Sequence, residues 1–482
     1  MIATDEKTLN PAAAEKLRPL EYAGRTTQVR IYLEEGLFEP EVVERLRVIA
    51  DHNRLEHPLV GLPDIHYKIG NFIPTGTAVA TGPDRILPCA VGNGTGCGFS
   101  ALRLDRRADE LAPGDVHALF TRLMERVPIR RNDRPLTPSE VDAALAEGVD
   151  GVAGLSEAER QKIDFCGNMF RDRDVEPDLD FRRWFPRANY ERGADEMGIL
   201  AAGNHFIELV EVAAVVEPEI AAWFGVRQGD LLLTLHADGN QLCSIGKTFT
   251  PYKTFRDWGR TKQELAKFAF HLRFYGHPFF YPRQDELFTL PVDSRPGRRF
   301  VTYCKASANF GFLNRLKLRG MIGEVLGERG LGADLFFDSV HDTLSFEEGL
   351  WVHRTGASVA RPAAQQPSPL YRRYGKPLLL PCALGLDSFL MVPGPGVAET
   401  YGSVNHGTGR IIDRTRVDNY TRADIDRSLA ERQVGLYAKG TFNLAREHSA
   451  SFKDPQRVRE LVEGLGLAKV FAELRPLAVM KG

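Results

Sequence analysis

The sequence predicts a mixed α/β fold, of the α+β kind, on three observations. Apolar, β-prone runs recur and several end at a histidine: DLLLTLH to His236, DLFFDSVH to His341 and LWVH to His353. Short amphipathic segments and long polar loops alternate with these runs. Strands that deliver polar side chains at their ends, interleaved with helices, belong to layered domains with a site at a sheet edge. With 482 residues, 43% of them hydrophobic and 26% charged, the chain has ample material for a large core. Its length suits two to four domains of roughly 100–200 residues each, or one elaborated α/β domain.

Taken in order, the elements are these. EPEVVERLRVIADH, from Glu39 to His52, places Val42, Val43, Leu46 and Ile49 at helical spacing, with acids early and bases late, and predicts an amphipathic helix. ILPCAVGNGTGCGFSALRL, 86–104, sets two apolar runs around four glycines and Cys97, and reads as strand, loop, strand. TPSEVDAALAEG carries a capping box, Thr137 with Glu140, ahead of a short helix that Gly148 ends, so 125–190 reads as a helical excursion. Residues 251–300 are rich in Phe, Tyr, Arg and Lys, with a helix-like middle, KQELAKFAFHLRF, and form a candidate insertion. RPAAQQPSPLYRRYGKP, 361–377, is a basic, proline-rich loop.

Sixty-two Lys+Arg against 64 Asp+Glu gives a formal charge of −2, which excludes nucleic-acid binding by bulk charge, so any RNA or DNA site is local. Six cysteines, Cys89, Cys97, Cys166, Cys243, Cys304 and Cys382, have no regular spacing and no C-x-x-C pair, which predicts a reducing compartment. The first residues are acidic and lack an apolar h-region, and no eighteen apolar residues run together. The expectation is a cytoplasmic protein with no membrane partner.

Two clusters carry chemistry. His66, His205, His236, His341, His353 and His406 each lie in a small-residue or Asn/Asp-rich context, and Cys97 sits in a glycine loop. Taken singly, each reads more readily as a hydrogen-bonded structural residue. Together they make an N/S donor set for zinc, or for manganese if carboxylates and phosphates join. The second cluster is NHGTGR, Asn405–Arg410. There Gly407 and Gly409 let backbone N–H groups approach a phosphate, Arg410 offers a bidentate fork, and His406 is a nucleophile or base. The bland alternative for that segment is a glycine turn closed by an arginine ion pair.

The order of the blocks adds to this reading. PDIHYKIGNFIPTG (63–76), GNGTGCG (92–98), RANYERGADEMGILAAGNHFIEL (187–209), TLH (234–236), LNRL (313–316), DSVHDT (338–343), VHRTGA (352–357), LLLPCALG (378–385), GSVNHGTGR (402–410) and a terminal MKG resemble the RtcB family of RNA ligases from about residue 60 to the last residue. The resemblance implies a single large α/β domain, 60–482, around a central metal and nucleotide cleft, with 1–59 as an N-terminal extension packed on it. It implies an enzyme that joins RNA 3′-phosphate or 2′,3′-cyclic phosphate ends to 5′-hydroxyl ends with GTP and Mn2+, in tRNA splicing or RNA repair, and it leaves room for a protein activator. By motif match His406 is the residue guanylylated and Asp64 orients its ring. Cys97, His205, His236 and His341 would hold metal. Asn204 and Asp342, with Gly407, Gly409 and Arg410, would lie at the nucleotide, and Glu208 and Lys481 at the guanine.

The chain departs from that pattern at several positions. The family's metal-ligating Asp, three residues before the cysteine, is Gly94, which leaves one or two ions open and makes Zn2+ at the Cys/His site an alternative to Mn2+. H-S-G-S-R-G becomes HADGNQ, losing an Arg and placing Asp238 two residues after His236, where it offers a carboxylate in place of the absent one. Asp342 replaces an Asn, and Thr355 and Val359 replace basic residues. The basic, aromatic stretches FRRWFPR (181–187) and LYRRYGK (370–376) offer phosphate contacts and stacking instead, or are solvated faces. Two other activity classes therefore stand beside the ligase: a non-ligating RNA-end and GTP binder, and a metal-dependent cyclic phosphodiesterase.

Overall fold

The computed structural model describes residues 17–68, 73–164, 179–185, 187–240, 242–244, 289–411, 417, 420–438 and 444–482, with a few positions between 259 and 272. Its spine is the strand Ala468–Lys481. This strand lies within an eight-stranded sheet whose spatial order is Ala333–Val340, Gly98–Arg107, Asp230–Ala237, Phe206–Val215, Ala468–Lys481, Ser388–Pro393 and Leu378–Leu380, with Gly435–Ala438 pairing beside Ala468–Lys481. All of these pairings are antiparallel except that of Gly435–Ala438. The spine strand carries a register shift between Pro476 and Ala478. Proline lacks the ladder N–H, and a bulge is where a central strand accommodates that loss.

A second sheet of six strands runs Leu20–Ala23, Gln28–Ile31, Leu59–His66, Thr75–Thr81, Leu350–Thr355 and Leu344–Glu347. Its first two strands, with the helix Pro40–Asn53, come from the segment before residue 60. Proline opens that helix, Arg54 closes it in the left-handed conformation, and Val42, Leu46 and Ile49 are buried with Ile31, Leu59 and Val79. The expected helix at 137–148 is Pro138–Glu147, with Thr137 and Glu140 exchanging the capping-box hydrogen bonds.

The helix Arg295–Gly327, 33 residues and so about 50 Å long, touches strands of both sheets. Its buried residues include polar ones, Asn309, Asn314 and Arg315. Its stretch 299–312 is buried all round and shows no amphipathic stripe, which is why periodicity did not single the helix out. The stretch 251–294 that precedes it, with the KQELAKFAFHLRF segment, falls mostly outside the described residues, as do 165–178 of the helical excursion.

Two local expectations are corrected. The apolar run before the glycine loop makes only the two-residue strand Arg85–Ile86 and then a 3-10 turn, Pro88–Ala90, because Pro88 cannot continue a ladder. His353 is not at a strand end. It lies within Leu350–Thr355, fully buried, with Nδ1 donating to Val79 O at 3.1 Å and Nε2 accepting from the Leu87 N–H at 2.8 Å, a structural histidine.

Candidate functional site

Register brings the donors together. Across the large sheet Lys481 faces Phe206, Phe206 faces His236, His236 faces Phe99, and Gly98 faces Val340. Cys97 therefore precedes one strand, His205 precedes a second, His236 lies near the end of a third and His341 follows a fourth, all at one sheet edge. Their separations are short: Cys97 Sγ is 3.2 Å from His236 Nε2 and 3.9 Å from His205 Nε2, and His236 Nε2 is 3.4 Å from His341 Nε2. Tetrahedral bonds of 2.0–2.3 Å to N and S give donor–donor edges of about 3.5 Å, so Cys97, His236 and His341 fit an ion, while His205 groups with Cys97 and Asp238.

Second partners fix the tautomers. His205 Nδ1 is 2.9 Å from Leu200 O and His236 Nδ1 is 3.1 Å from Asn204 O. A carbonyl only accepts, so Nδ1 carries the proton in each ring and Nε2 presents its lone pair to Cys97. Burial pushes His236 and His341 well below the usual imidazole pKa and keeps them neutral, as ligands must be. Burial, with the Asp238 and Asp342 carboxylates, pushes the Cys97 thiol well up. With a cation held by these donors, the Cys97 sulfur would bind as the thiolate in spite of that shift. Phe99 floors the group, its ring centroid 4.5 Å from that of His236 and 4.9 Å from that of His341.

His406 enters from a separate two-stranded ribbon. The ribbon of Ala357–Val359 with Ser403–Asn405 ends just before it, and its ring centroid lies 4.9 Å from that of His341. Asp64, fully buried in the strand Leu59–His66, receives the His406 Nδ1–H at 2.6 Å and its backbone N–H at 3.2 Å. Burial opposes charge on His406, yet Asp64 and Asp342 hold its pKa above the ordinary value. Gly409, at φ +75°, is needed in the loop that follows, because a Cβ there would stand 2.2 Å from Asp64 O.

Two clefts meet at His406. The smaller, about 190 Å³, is lined by Glu208, Lys481, Gly407, Gly409 and Arg410. Burial pushes Glu208 up to about 8, against the pull of Lys481. Arg410 donates to Arg446 O at 2.5 Å and stacks on Phe452 at 4.4 Å, so its fork is held from behind. The larger, about 890 Å³, is lined by Cys97, His205, His341 and Asp342 and by the basic Arg130, Arg131 and Arg192. Asn204 and His406 line both. Asp342 accepts the Gly356 N–H at 2.6 Å, and burial pushes it up to about 6. Every site residue expected from the sequence except Asp64 lines one of these clefts, and Asp64 lies buried behind His406. Among the described side chains, the 181–187 and 370–376 stretches line neither of them. There Arg182 pairs with Asp142 at 2.8 Å, and Arg373 packs over Trp223 and Tyr374 at 5.0 Å each.

The scaffold beneath was not anticipated. Arg315 is fully buried. It pairs with Asp338 at 2.8 Å and donates to Gly96 O at 2.6 Å and Ala237 O at 3.1 Å, bracing the segments that carry Cys97 and His236. Asn314 holds Gly198, Ile199 and Asp238 backbone groups at 2.6, 3.1 and 2.5 Å. Lys453, 3% exposed, donates to Ile65 O at 2.6 Å, and burial lowers it to about 8. The LNRL block marked the first two residues as part of a pattern, but no local signal pointed to Lys453.

Comparison with known proteins places the chain in a family. The family model for "tRNA-splicing ligase RtcB" matches residues 45–482. A tRNA-splicing ligase RtcB of Archaeoglobus fulgidus is 26% identical over 476 residues, covering 92% of this chain and 92% of its own. One of Thermococcus kodakarensis is 26% identical over 477 residues, covering 94% of each. One of Pyrococcus furiosus is 27% identical over 474 residues, covering 93% of this chain and 44% of its own. With a match that takes in all thirteen residues expected at the site, the chain belongs to the RtcB family.

Proposed function

We propose that this chain is a GTP-dependent RNA ligase that joins RNA 3′-phosphate or 2′,3′-cyclic phosphate ends to 5′-hydroxyl ends through a guanylylated His406. The observation that carries the reading is the position of His406, its Nδ1 locked by Asp64 at 2.6 Å, at the meeting of the two clefts. With Nδ1 as donor to Asp64, the ring offers Nε2 as nucleophile once that nitrogen has given up its proton. Nε2 attacks the α-phosphorus of GTP, the Nε2–P bond forms, the bond to the β-phosphate oxygen breaks, and pyrophosphate leaves. A 2′,3′-cyclic end is first opened by water to a 3′-phosphate. An oxygen of that 3′-phosphate takes the guanylyl group as the Nε2–P bond breaks, and the 5′-hydroxyl, losing its proton, then attacks the 3′-phosphorus as GMP leaves.

The guanine N1 and N2 donors suit the Glu208 carboxylate, with Lys481 beside the base. Arg130, Arg131 and Arg192 suit RNA phosphates on the other side of His406. Cys97, His205, His236 and His341 would hold Mn2+, with Zn2+ the competitor for this donor set. Such an ion supplies charge neutralisation at the phosphates. The relatives named tRNA-splicing ligases favour a tRNA substrate. Among the described residues no helix is long and apolar enough to cross a membrane.

The test is incubation with α-labelled GTP and manganese. Acid-labile label on the wild type and none on His406→Ala supports the mechanism. Label that persists in His406→Ala removes it, and GTP binding without label or joined product favours a binder instead.

A further inference from the structure

We propose that Asp238 is a metal ligand, and that with Cys97 and His205 it builds a second cation position beside the one made by Cys97, His236 and His341. This deepens the ligase reading and rests on its metal centre. Two donor triads lie within 4.8 Å in this way, Cys97/His236/His341 and Cys97/His205/Asp238, and they share only the cysteine. A thiolate has lone pairs enough to bridge two cations. In the second triad Asp238 Oδ2 stands 3.7 Å from His205 Nε2, the nitrogen that the Leu200 carbonyl leaves unprotonated.

The placement of Asp238 is built rather than incidental. It directly follows the strand Asp230–Ala237, at the sheet edge where the other donors emerge. Its Oδ1 accepts the Asn240 N–H at 2.6 Å, and its carbonyl accepts from Asn314 at 2.5 Å. One oxygen anchors the carboxylate, and the other is aimed into the cleft that Cys97 and His205 line. Gly94 makes room for it. A Cβ on residue 94 would stand 2.7 Å from Asp238 Oδ2 and 3.7 Å from Cys97 Cβ. A side chain at 94 and the Asp238 carboxylate would therefore claim the same space beside the cysteine. The carboxylate missing from position 94 is supplied from the strand end instead, and the two positions are exchangeable as a pair.

The experiment uses the full chain freed of metal and then titrated with Mn2+ by equilibrium dialysis, with electron paramagnetic resonance reporting coupling between ions. The wild type should bind two ions per chain as a coupled pair. Asp238→Asn, which keeps an oxygen for the Asn240 N–H, should bind one, with affinity for the second weakened more than about tenfold. The double variant Asp238→Gly with Gly94→Asp should regain two. Two coupled ions in Asp238→Asn would overturn the assignment. So would a single ion in the wild type, though a one-metal ligase would survive that result. A wild type that binds no ion would overturn the metal centre itself.

Discussion

Asp64 Oδ2 receives both the ring Nδ1–H and the backbone N–H of His406, at 2.6 and 3.2 Å, so a single oxygen sets the ring's tautomer and the path of the chain beneath it. Asp64→Asn keeps the size of the side chain but not its charge or acceptor pattern. In a Ser-His-Asp triad the corresponding change lowers turnover by about 10⁴ through the wrong tautomer. Transfer of label from α-labelled GTP to Asp64→Asn should fall by roughly 10²–10⁴, with GTP binding largely kept. A loss below about threefold in single-turnover labelling would mean that the pair does not orient the nucleophile.

Glu208 gives the base site a pH dependence. Buried and raised from 4.5 to about 8, it is neutral below that pH, yet only the carboxylate accepts both guanine donors. Guanosine affinity should rise up to tenfold per unit as the pH approaches about 8, then level off, and Glu208→Gln should abolish the rise. Guanosine is the right probe because it lacks phosphates to recruit metal. The folding sign is opposite. Between about 4.5 and 8 the native state holds a proton that the unfolded state has lost, so Glu208 makes stability decline with rising pH across that window. A flat guanosine titration from pH 6 to 9 would contradict this assignment.

Arg315 and Asp338 form a buried pair at 2.8 Å. Burial alone would raise Asp338, but the guanidinium holds its carboxyl below the usual range. Removing one partner strands the other, which costs about 3–5 kcal/mol. Arg315→Met should lower the urea-derived stability by that amount, and because Arg315 also holds Gly96 and Ala237 carbonyls, metal affinity should fall with it. The double variant Arg315→Met with Asp338→Leu should recover part of the stability but none of the bracing.

Glu347 and Arg354 tie the strand Leu350–Thr355 to the ribbon that leads into His406. Arg354 pairs with Glu347 at 2.8 Å and donates to Ser403 Oγ at 2.9 Å and Tyr401 O at 2.8 Å. Burial opposes charge on Glu347, but Arg354 and Arg361 bring it down to about 2 from 4.5. The stabilisation is present above 4.5 and is lost as the pH falls through about 2, an amount of roughly 3 kcal/mol. Glu347→Gln should be less stable than the wild type at pH 7, with the gap closing below about pH 4.5. Denaturation curves at stepped pH would measure it, and a gap unchanged down to pH 3 would refute the pairing energetics.

What was legible in the sequence was what short-range chemistry writes there. Thr137 and Glu140 announce a helix start because the capping hydrogen bonds span three residues. Val42, Leu46 and Ile49 announce a buried face because helical period is local. The nucleophile loop and the donor types were readable because NHGTGR and the ordered blocks are contiguous text. His341 and His353 show where that reading stops. Both follow an apolar run, and only register separates a residue at the sheet edge from one buried mid-strand against Val79 and Leu87.

The tertiary structure alone decided which side chains share a volume. Strand pairing places Cys97, His205, His236 and His341 at one edge, although their segments are spread over more than half of the chain between them. It sets Asp238 against the bare backbone of Gly94 and runs one buried helix beneath the loops that carry the donors. Such proximities arise from long-range hydrogen-bond register and from packing, to which residues distant in the chain contribute no local signal.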